Sequence, residues 1–310
     1  MKMRYFVTGA TGFVGSNICR TLVALGNHVS VLSRKKALNW RLADIQDSIT
    51  VYEGDMLNTD FAALLTKEKP TVAIHCASYG AMPEERDVET MLDVNIKGLI
   101  RLVKACRDSS VKLFINSGSS SEYGVKKKPM KEEDVLNPIN DYAVTKAAGT
   151  LFCQKESRNS PFSLVTLRLF SPYGYYEQQT RFIPSVIQSA LKHLPLSASS
   201  PKFVRDFVFI EDVVRAYVSA SSGNYKKLNG QVINIGSGQQ QTLGSVVKTA
   251  GNIAKYAVDV SWNPALKQTR QIEPTCWQAD ISKAKKLLHW MPKVTLRDGL
   301  KKTMEWKKSI

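Results

Sequence analysis

The strongest constraint on this chain is seven residues long. Gly9-Ala10-Thr11-Gly12-Phe13-Val14-Gly15 stands between a strand-like run, Arg4–Val7, and a segment of helical periodicity, Gly12–Leu25. Glycines at these three positions permit a tight strand-to-helix turn, let backbone N–H groups approach a pyrophosphate, and let the helix lie close on a sheet. The start of the helix adds partial positive charge aimed at the same phosphates. An ordinary glycine-rich turn is the plainer alternative, but a strand directly before and a helix directly after favour a dinucleotide-binding turn.

The chain that follows keeps a matching rhythm. His28–Leu32, Ile49–Tyr52, Val72–His75, Leu113–Ile115 and Leu164–Leu169 read as short strands. Val88–Cys106 carries Val88, Met91, Leu92, Ile96, Leu99, Leu102, Val103 and Cys106 at three- and four-residue spacing, one face of a helix, and Asp141–Gln154 reads as another. The alternation predicts an α/β fold, a Rossmann-type doubly wound parallel sheet with helices on both faces. After Phe170 the rhythm loosens: Phe182–Leu191, Glu211–Ala220, Leu243–Ala254, Ile281–Leu288 and Leu296–Trp306 look helical, Phe207–Ile210 and Val232–Ile235 strand-like, and Ser197–Arg205 a polar loop. The expected division is a dinucleotide-binding domain over residues 1–171, completed by parts of 207–240, and a smaller α/β substrate-binding region built mainly from 172–310.

Composition excludes several classes. With 310 residues, 43% hydrophobic and 23% charged, the chain has the makings of a large packed core. No apolar run approaches the ~20 residues of a membrane span. Met1-Lys2-Met3-Arg4 runs straight into a strand without a signal peptide's apolar stretch, so a cytoplasmic location and no membrane partner are expected. The five cysteines are scattered without CxxC spacing, and none of the four histidines is paired at metal spacing; buried free thiols and no metal are expected. The net charge of +16 invites a nucleic-acid reading, yet apart from Lys126-Lys127-Lys128 the lysines are dispersed and no nucleic-acid-binding motif accompanies them. A solvated basic surface that attracts a small anionic substrate, with no nucleic-acid partner, is the expectation.

Tyr142-Ala143-Val144-Thr145-Lys146 is the candidate catalytic element. Residues four apart share a helical face. A lysine cation beside the phenol is expected to favour phenolate and lower its pKa from about 10. Such a tyrosine exchanges a proton with a hydroxyl or carbonyl while a nicotinamide moves hydride. The spacing alone is common by chance; it gains weight downstream of Asn116-Ser117-Gly118-Ser119-Ser120-Ser121-Glu122-Tyr123-Gly124.

These features, with GxxGxxG rather than GxGxxG spacing at Gly9–Gly15, resemble the extended branch of the short-chain dehydrogenase/reductase family, whose members act on nucleotide sugars. The resemblance spans nearly the whole chain. Gly54-Asp55-Met56 resembles the segment that sets an aspartate against adenine, His75-Cys76-Ala77-Ser78 the turn beside the cofactor, and Asn95 the family's buried asparagine. It implies cofactor contacts from Gly9, Thr11, Gly12, Phe13, Val14, Gly15, Asp55, Met56, Cys76, Ala77, Ser78, Asn95, Ser117, Tyr142, Lys146 and Phe170. It also implies that Ser119, four residues before Tyr123, shares the proton-transfer hydrogen bond with Tyr142, and that Lys146 completes the catalytic set. Ser171-Pro172-Tyr173-Gly174 resembles the family's turn after the active-site strand, with Ser171 in place of the usual asparagine. Arg181, Arg205 and Arg270 fall where relatives grip a substrate diphosphate, a task suited to arginine's forked donors. Ser119, Ser120 and Ser171 join them as expected substrate contacts. The implied partners are a nucleotide-diphosphate sugar and a second copy of the chain, docked through Asn95–Cys106 and Ala147–Gln154.

The reaction and cofactor rest on fewer residues. Dehydratases of the family place Asp-Glu or Ser-Glu directly after the catalytic serine or threonine. Here Ser120 and Ser121 occupy those positions, and strand alternation points Glu122 elsewhere, which disfavours dehydration. The second strand ends Val31-Leu32-Ser33-Arg34-Lys35-Lys36, with no acid to bind a ribose 2′-OH. Ser33 and Arg34 suit a 2′-phosphate instead, so NADP(H) is expected, with NAD as the other possibility. That leans the reading towards NADPH-dependent reduction of a 4-keto sugar nucleotide by hydride transfer at C4. The alternative is an NAD-dependent nucleotide-sugar 4-epimerase. A non-catalytic dinucleotide-binding protein is opposed by the complete Ser119–Tyr142–Lys146 set.

Overall fold

The computed structural model describes residues 2–35, 40–263 and 274–309. Its strands are β1 (Arg4–Thr8), β2 (His28–Ser33), β3 (Thr50–Glu53), β4 (Val72–His75), β5 (Leu113–Ser119), β6 (Ser163–Leu169), β7 (Ser171–Tyr173), β8 (Leu196–Ala198), β9 (Val204–Phe209), β10 (Gln231–Ile235), β11 (Gln240–Thr242) and β12 (Val260–Trp262). The helices are α1 (Phe13–Ala24), α2 (Phe61–Glu68), α3 (Val88–Leu92), α4 (Leu99–Cys106), α5 (Asp141–Ser157), α6 (Phe182–Lys192), α7 (Ile210–Ser222), α8 (Tyr225–Leu228), α9 (Leu243–Ala254), α10 (Ser282–Leu288) and α11 (Leu296–Ser309).

Seven strands form one parallel sheet in the order β10-β6-β5-β4-β1-β2-β3. Its central strands are mostly apolar and buried because both faces are covered. Tyr5 and Val7 face a cluster with Ile18 and Leu22 of α1 and Tyr217 of α7, whereas Phe6 faces the other side with Leu65 of α2, Leu102 of α4 and Cys153 of α5. Truncating a fully buried side chain such as Leu102 to alanine costs about 2–5 kcal/mol. The chain winds outward from β1 through β2 and β3, then returns to β4 and winds the other way. That reversal opens a crevice beyond the C-terminal ends of β1 and β4, where ligands of such sheets bind. The last strand, β10, comes from the second half of the chain and pairs with β6. Two small sheets, β11-β9-β7 and β12-β8, stand beside the main one.

Several elements differ from their expected form. The helix over 88–106 is broken by a π-helical turn at Asp93–Gly98, which carries Asn95. Strand β5 continues past Ile115 to Ser119 because polar Asn116–Ser119 pair in register with Thr166–Leu169. The stretch 197–205, expected as a loop, contributes to β8 and β9, and α2 was not anticipated. Among the described residues, no helix is long and apolar enough to cross a membrane.

Candidate active site

The glycine turn closes against the end of β4. Gly9 has φ +68°, and a Cβ there would lie 2.7 Å from Ala77 Cα; one at Gly15 would lie 2.9 Å from Ala10 Cα. Side chains at either position would push the turn off the sheet. Helix α1 begins at Gly12 with no side-chain cap and no acid in its first turn, so its leading N–H groups stay directed into the crevice. Thr11, Phe13 and Val14 are half-buried around it, with Cys76 and Ala77 opposite and Ser78 exposed at the rim. This shape, a side-chain-free cradle at an uncapped helix start, fits a pyrophosphate.

The candidate catalytic pair sits on α5. Asn140 caps this helix by accepting the Ala143 N–H at 2.8 Å, and Asp141 and Lys155 occupy the ends where their charges suit the helix dipole. Tyr142 and Lys146 follow one turn apart; the phenol is half-buried and the lysine only 8% exposed. Burial pushes the Tyr142 pKa up from its ordinary value, opposed by the nearby charge of Arg181 and by the neighbouring Ser119 hydroxyl. Burial likewise pulls Lys146 down, while Glu122 counteracts it. The expected lowering of the phenol pKa by Lys146 is therefore corrected: removal from water dominates, and the opposing positive charge is that of Arg181.

Ser119 ends β5 and caps the short 3₁₀ turn Ser120–Tyr123. Its Oγ accepts the Ser121 N–H and lies 2.8 Å from Ser121 Oγ, while its own N–H donates to Glu122 Oε1 at 2.7 Å. Asn95 ties α5 to the loop after β4. Its Nδ2 donates to Tyr79 O and to Thr145 Oγ1, and its Oδ1 accepts the Tyr79 N–H. The π-turn gives Asn95 the register for this three-way clamp, as such turns often do at functional sites.

These features coincide with a known pattern. The model of the NAD dependent epimerase/dehydratase family matches residues 5–236. The chain belongs to this family. An uncharacterized UDP-glucose epimerase of Bacillus subtilis (strain 168) is 29% identical over 323 residues, 99% of each chain. A UDP-glucuronic acid 4-epimerase of Bacillus cereus, solved with UDP-glucuronic acid and NAD, matches with TM-score 0.87 at 29% identity over 99% of each chain. A GDP-6-deoxy-D-mannose reductase of Pseudomonas aeruginosa is 26% identical over 100% of this chain and 99% of its own. The epimerase/dehydratase chain is thus an NAD(P)-dependent sugar-nucleotide enzyme of the extended short-chain dehydrogenase/reductase type. These relatives favour the epimerase alternative over the reductase reading, and they lend no support to an NADP preference.

The remaining predicted contacts of this family member fall at several places. Ser33 is buried, its Oγ accepting the Lys35 N–H at 3.4 Å, and Arg34 is exposed. Asp55 borders a cleft of about 470 Å³ at the end of β3. Its carboxylate accepts N–H groups from Leu57 and Asn58 and the Asn58 side chain, which hold its pKa below the usual range. Met56 is buried against Gly98. Ser117 Oγ reaches Cys76 Sγ at 3.2 Å and Tyr217 OH at 2.7 Å. Burial pushes the Cys76 thiol up to about 11 and the His75 imidazole down to about 3, leaving both neutral near pH 7.

On the substrate side, Arg181 donates to Ala81 O at 3.2 Å and so reaches the Ser78–Glu85 loop, which Glu85 braces by accepting the Gly80 and Met82 N–H groups. Ser120 Oγ, buried, accepts from Trp277 Nε1 at 3.2 Å, and the Arg205 guanidinium lies over the Trp277 ring at 5.3 Å. Ser171 is half-buried, whereas Phe170 is buried in a cluster with Tyr123, Met130 and Trp277. Arg270 and Lys36 lie outside the described residues.

Sequence reasoning missed Glu122. It assumed that strand alternation continued, whereas the chain turns into the 3₁₀ segment at Ser120. Ser119-Ser120-Ser121-Glu122 has the S-x-x-E form of a capping box, a signal that was there to be read.

Proposed function

We propose that this protein is an NAD-dependent UDP-sugar 4-epimerase. The observation that carries the reading is Tyr142 one helical turn from buried Lys146 on α5, beside a glycine cradle shaped for a dinucleotide, with Ser119 at the end of the adjacent strand β5. The epimerases among its relatives, and the NAD and UDP-sugar bound in the Bacillus cereus structure, support the cofactor and substrate class. A bound nicotinamide would supply the acceptor, and then the donor, of a hydride at sugar C4.

The chain's own residues handle the proton and the pose. Tyr142 Oη takes the proton from the C4 hydroxyl and returns one to C4 oxygen after the sugar has turned over. Ser119 Oγ shares that proton's hydrogen bond, and Lys146 keeps positive charge beside the phenolate as it forms. Arg181, Arg205 and Arg270 are proposed to hold the diphosphate, and Ser171 to face the sugar. Ser120 offers its remaining hydroxyl proton from a position fixed by Trp277. Thr11, Gly12, Phe13 and Val14 are proposed around the pyrophosphate, Asp55 and Met56 near the adenine, and Ser78, Asn95 and Ser117 along the nicotinamide half. Arg34 is exposed, and the NAD bound in the Bacillus cereus structure supports NAD as the cofactor at this strand end.

The test is to incubate the purified protein with UDP-glucose and UDP-glucuronic acid and follow the C4 configuration by NMR, with mass spectrometry of dinucleotide released on denaturation. Interconversion of C4 epimers without net nicotinamide oxidation is expected, and Tyr142→Phe should abolish it. NADPH-dependent reduction of 4-keto-6-deoxy sugar nucleotides with no epimerisation would restore the reductase reading.

A further inference from the structure

Beneath the catalytic edge lies a buried ion pair that the proton-transfer scheme does not use. Arg168 Nε donates to Glu122 Oε2 at 2.7 Å, and the two side chains are 2% and 0% exposed. Glu122 Oε1 accepts the Ser119 N–H at 2.7 Å, so one carboxylate joins the arginine to the catalytic strand end. Arg168 stands on β6 opposite Gly118, and its guanidinium lies 4.5 Å from the centre of the Tyr123 ring. Tyr123 OH in turn donates to Asn234 Oδ1 of β10 at 2.7 Å. Gly118 leaves room for this arrangement: a Cβ there would come within 2.8 Å of Glu122 Oε1 and 3.1 Å of Arg168 Cγ.

Stability does not explain the pair. Desolvating two charges roughly cancels their attraction, and apolar residues of similar size commonly replace such pairs without loss. A capping glutamate alone needs neither burial nor an arginine. What the pair does is fix the peptide at Ser119. That residue is held at its amide by Glu122 and at its hydroxyl by Ser121. We propose that Glu122, anchored by Arg168, is a positioning residue that fixes the Ser119 peptide so that its hydroxyl meets the Tyr142 phenol. The proposal rests on the catalytic reading of Ser119 and Tyr142. Without the carboxylate the Ser119 peptide turns and carries its hydroxyl away from the phenol, and a displacement of about 1 Å at such a contact costs on the order of 100-fold in rate.

Two double variants, each removing both charges, test this without stranding a lone buried ion. E122Q/R168Q keeps an amide oxygen for the Ser119 N–H, whereas E122M/R168M removes it. Turnover should fall in the order wild type, E122Q/R168Q, E122M/R168M, the last losing about 10- to 100-fold in kcat with KM within about threefold. Adding Ser119→Ala to E122M/R168M should then cost little more. Equal kcat in the two double variants, or fully additive losses, would overturn the proposal. If the doubles do not fold, E122D serves: its shorter carboxylate keeps its charge beside Arg168 but falls short of the amide. Wild-type kcat in folded E122D would also overturn it. A titration of the Tyr142 phenol by tyrosine-labelled NMR, assigned with Tyr142→Phe, needs no turnover. Tyr142 should titrate at higher pH in E122M/R168M than in E122Q/R168Q, or in E122D than in wild type if the doubles do not fold. If that order is seen but no UDP-sugar is converted, the epimerase reading fails and the positioning role stands; if the order is absent, the positioning role fails.

Discussion

Replacing Glu177 by glutamine should flatten the protein's dependence of stability on pH between about 4.5 and 8. Glu177 follows the turn after β7 and is buried, and its Oε2 has no hydrogen-bond partner. Burial raises its pKa from 4.5 to about 8, and neither the charge of Arg181 nor a hydrogen bond at Gly174 compensates. The folded protein thus holds a proton that the unfolded chain releases above pH 4.5. The stabilisation is complete below the unfolded value and is lost as pH rises through the folded one. At about 1.4 kcal/mol per pH unit, the loss reaches roughly 3 kcal/mol at pH 7 and at most about 5 kcal/mol above pH 8. The amide of the substituted side chain does not ionise, so it escapes this loss, although its buried N–H₂ costs about 1–3 kcal/mol at every pH. The diagnostic is therefore the slope, not the absolute stability. Urea unfolding of wild type and E177Q at pH 5, 7 and 9 should show the wild type losing more stability with pH than the variant, the gap widening up to about pH 8. Parallel pH profiles would refute the argument and place the carboxylate in contact with water or an unrecognised donor.

Other perturbations have equally definite outcomes. Lys146→Met should lower epimerisation by about 100- to 10,000-fold while leaving dinucleotide binding measurable by fluorescence, the range expected for losing general acid–base support. Gly9→Ala forces a Cβ against Ala77 at φ +68° and should abolish cofactor binding or folding, read by thermal shift with NAD. Asn95→Ala removes three hydrogen bonds and should destabilise by about 2–3 kcal/mol in denaturant, with increased protease cleavage in the Ser78–Glu85 loop. Val144 and Leu151 leave an apolar stripe exposed on α5, 48% and 57% accessible. Light scattering should give twice the chain mass, and Leu151→Asp should give a monomer.

The parts of this fold that were legible in the sequence are those where one physical requirement acts on neighbouring residues. The β1 turn needs glycines because the backbone must approach itself, and the main strands are apolar runs because both faces are covered. Tyr142 and Lys146 are bound by helical spacing alone. What stayed hidden was decided by partners far along the chain. Ser120 meets Trp277 across 157 positions, and Arg168 meets Glu122 across 46. Helix α2 has eight residues, too few for its apolar pattern to stand out. The cofactor preference read from Ser33 and Arg34 depended on where those side chains point, which residue types alone do not determine.

The route of β10 has a consequence for how the protein is made. The sheet that frames the dinucleotide crevice lacks its outer strand until residue 235 has been synthesised, roughly three-quarters of the way along the chain. Until then β6 is an open edge with unpaired N–H and C=O groups, the kind of surface that recruits other chains. A nascent chain arrested near residue 171 holds Ser119, Tyr142 and Lys146, the proposed catalytic set, yet carries that bare edge. Fragments cut within residues 172–230 should therefore aggregate through the bare β6 edge, the outcome of a single strand that arrives late.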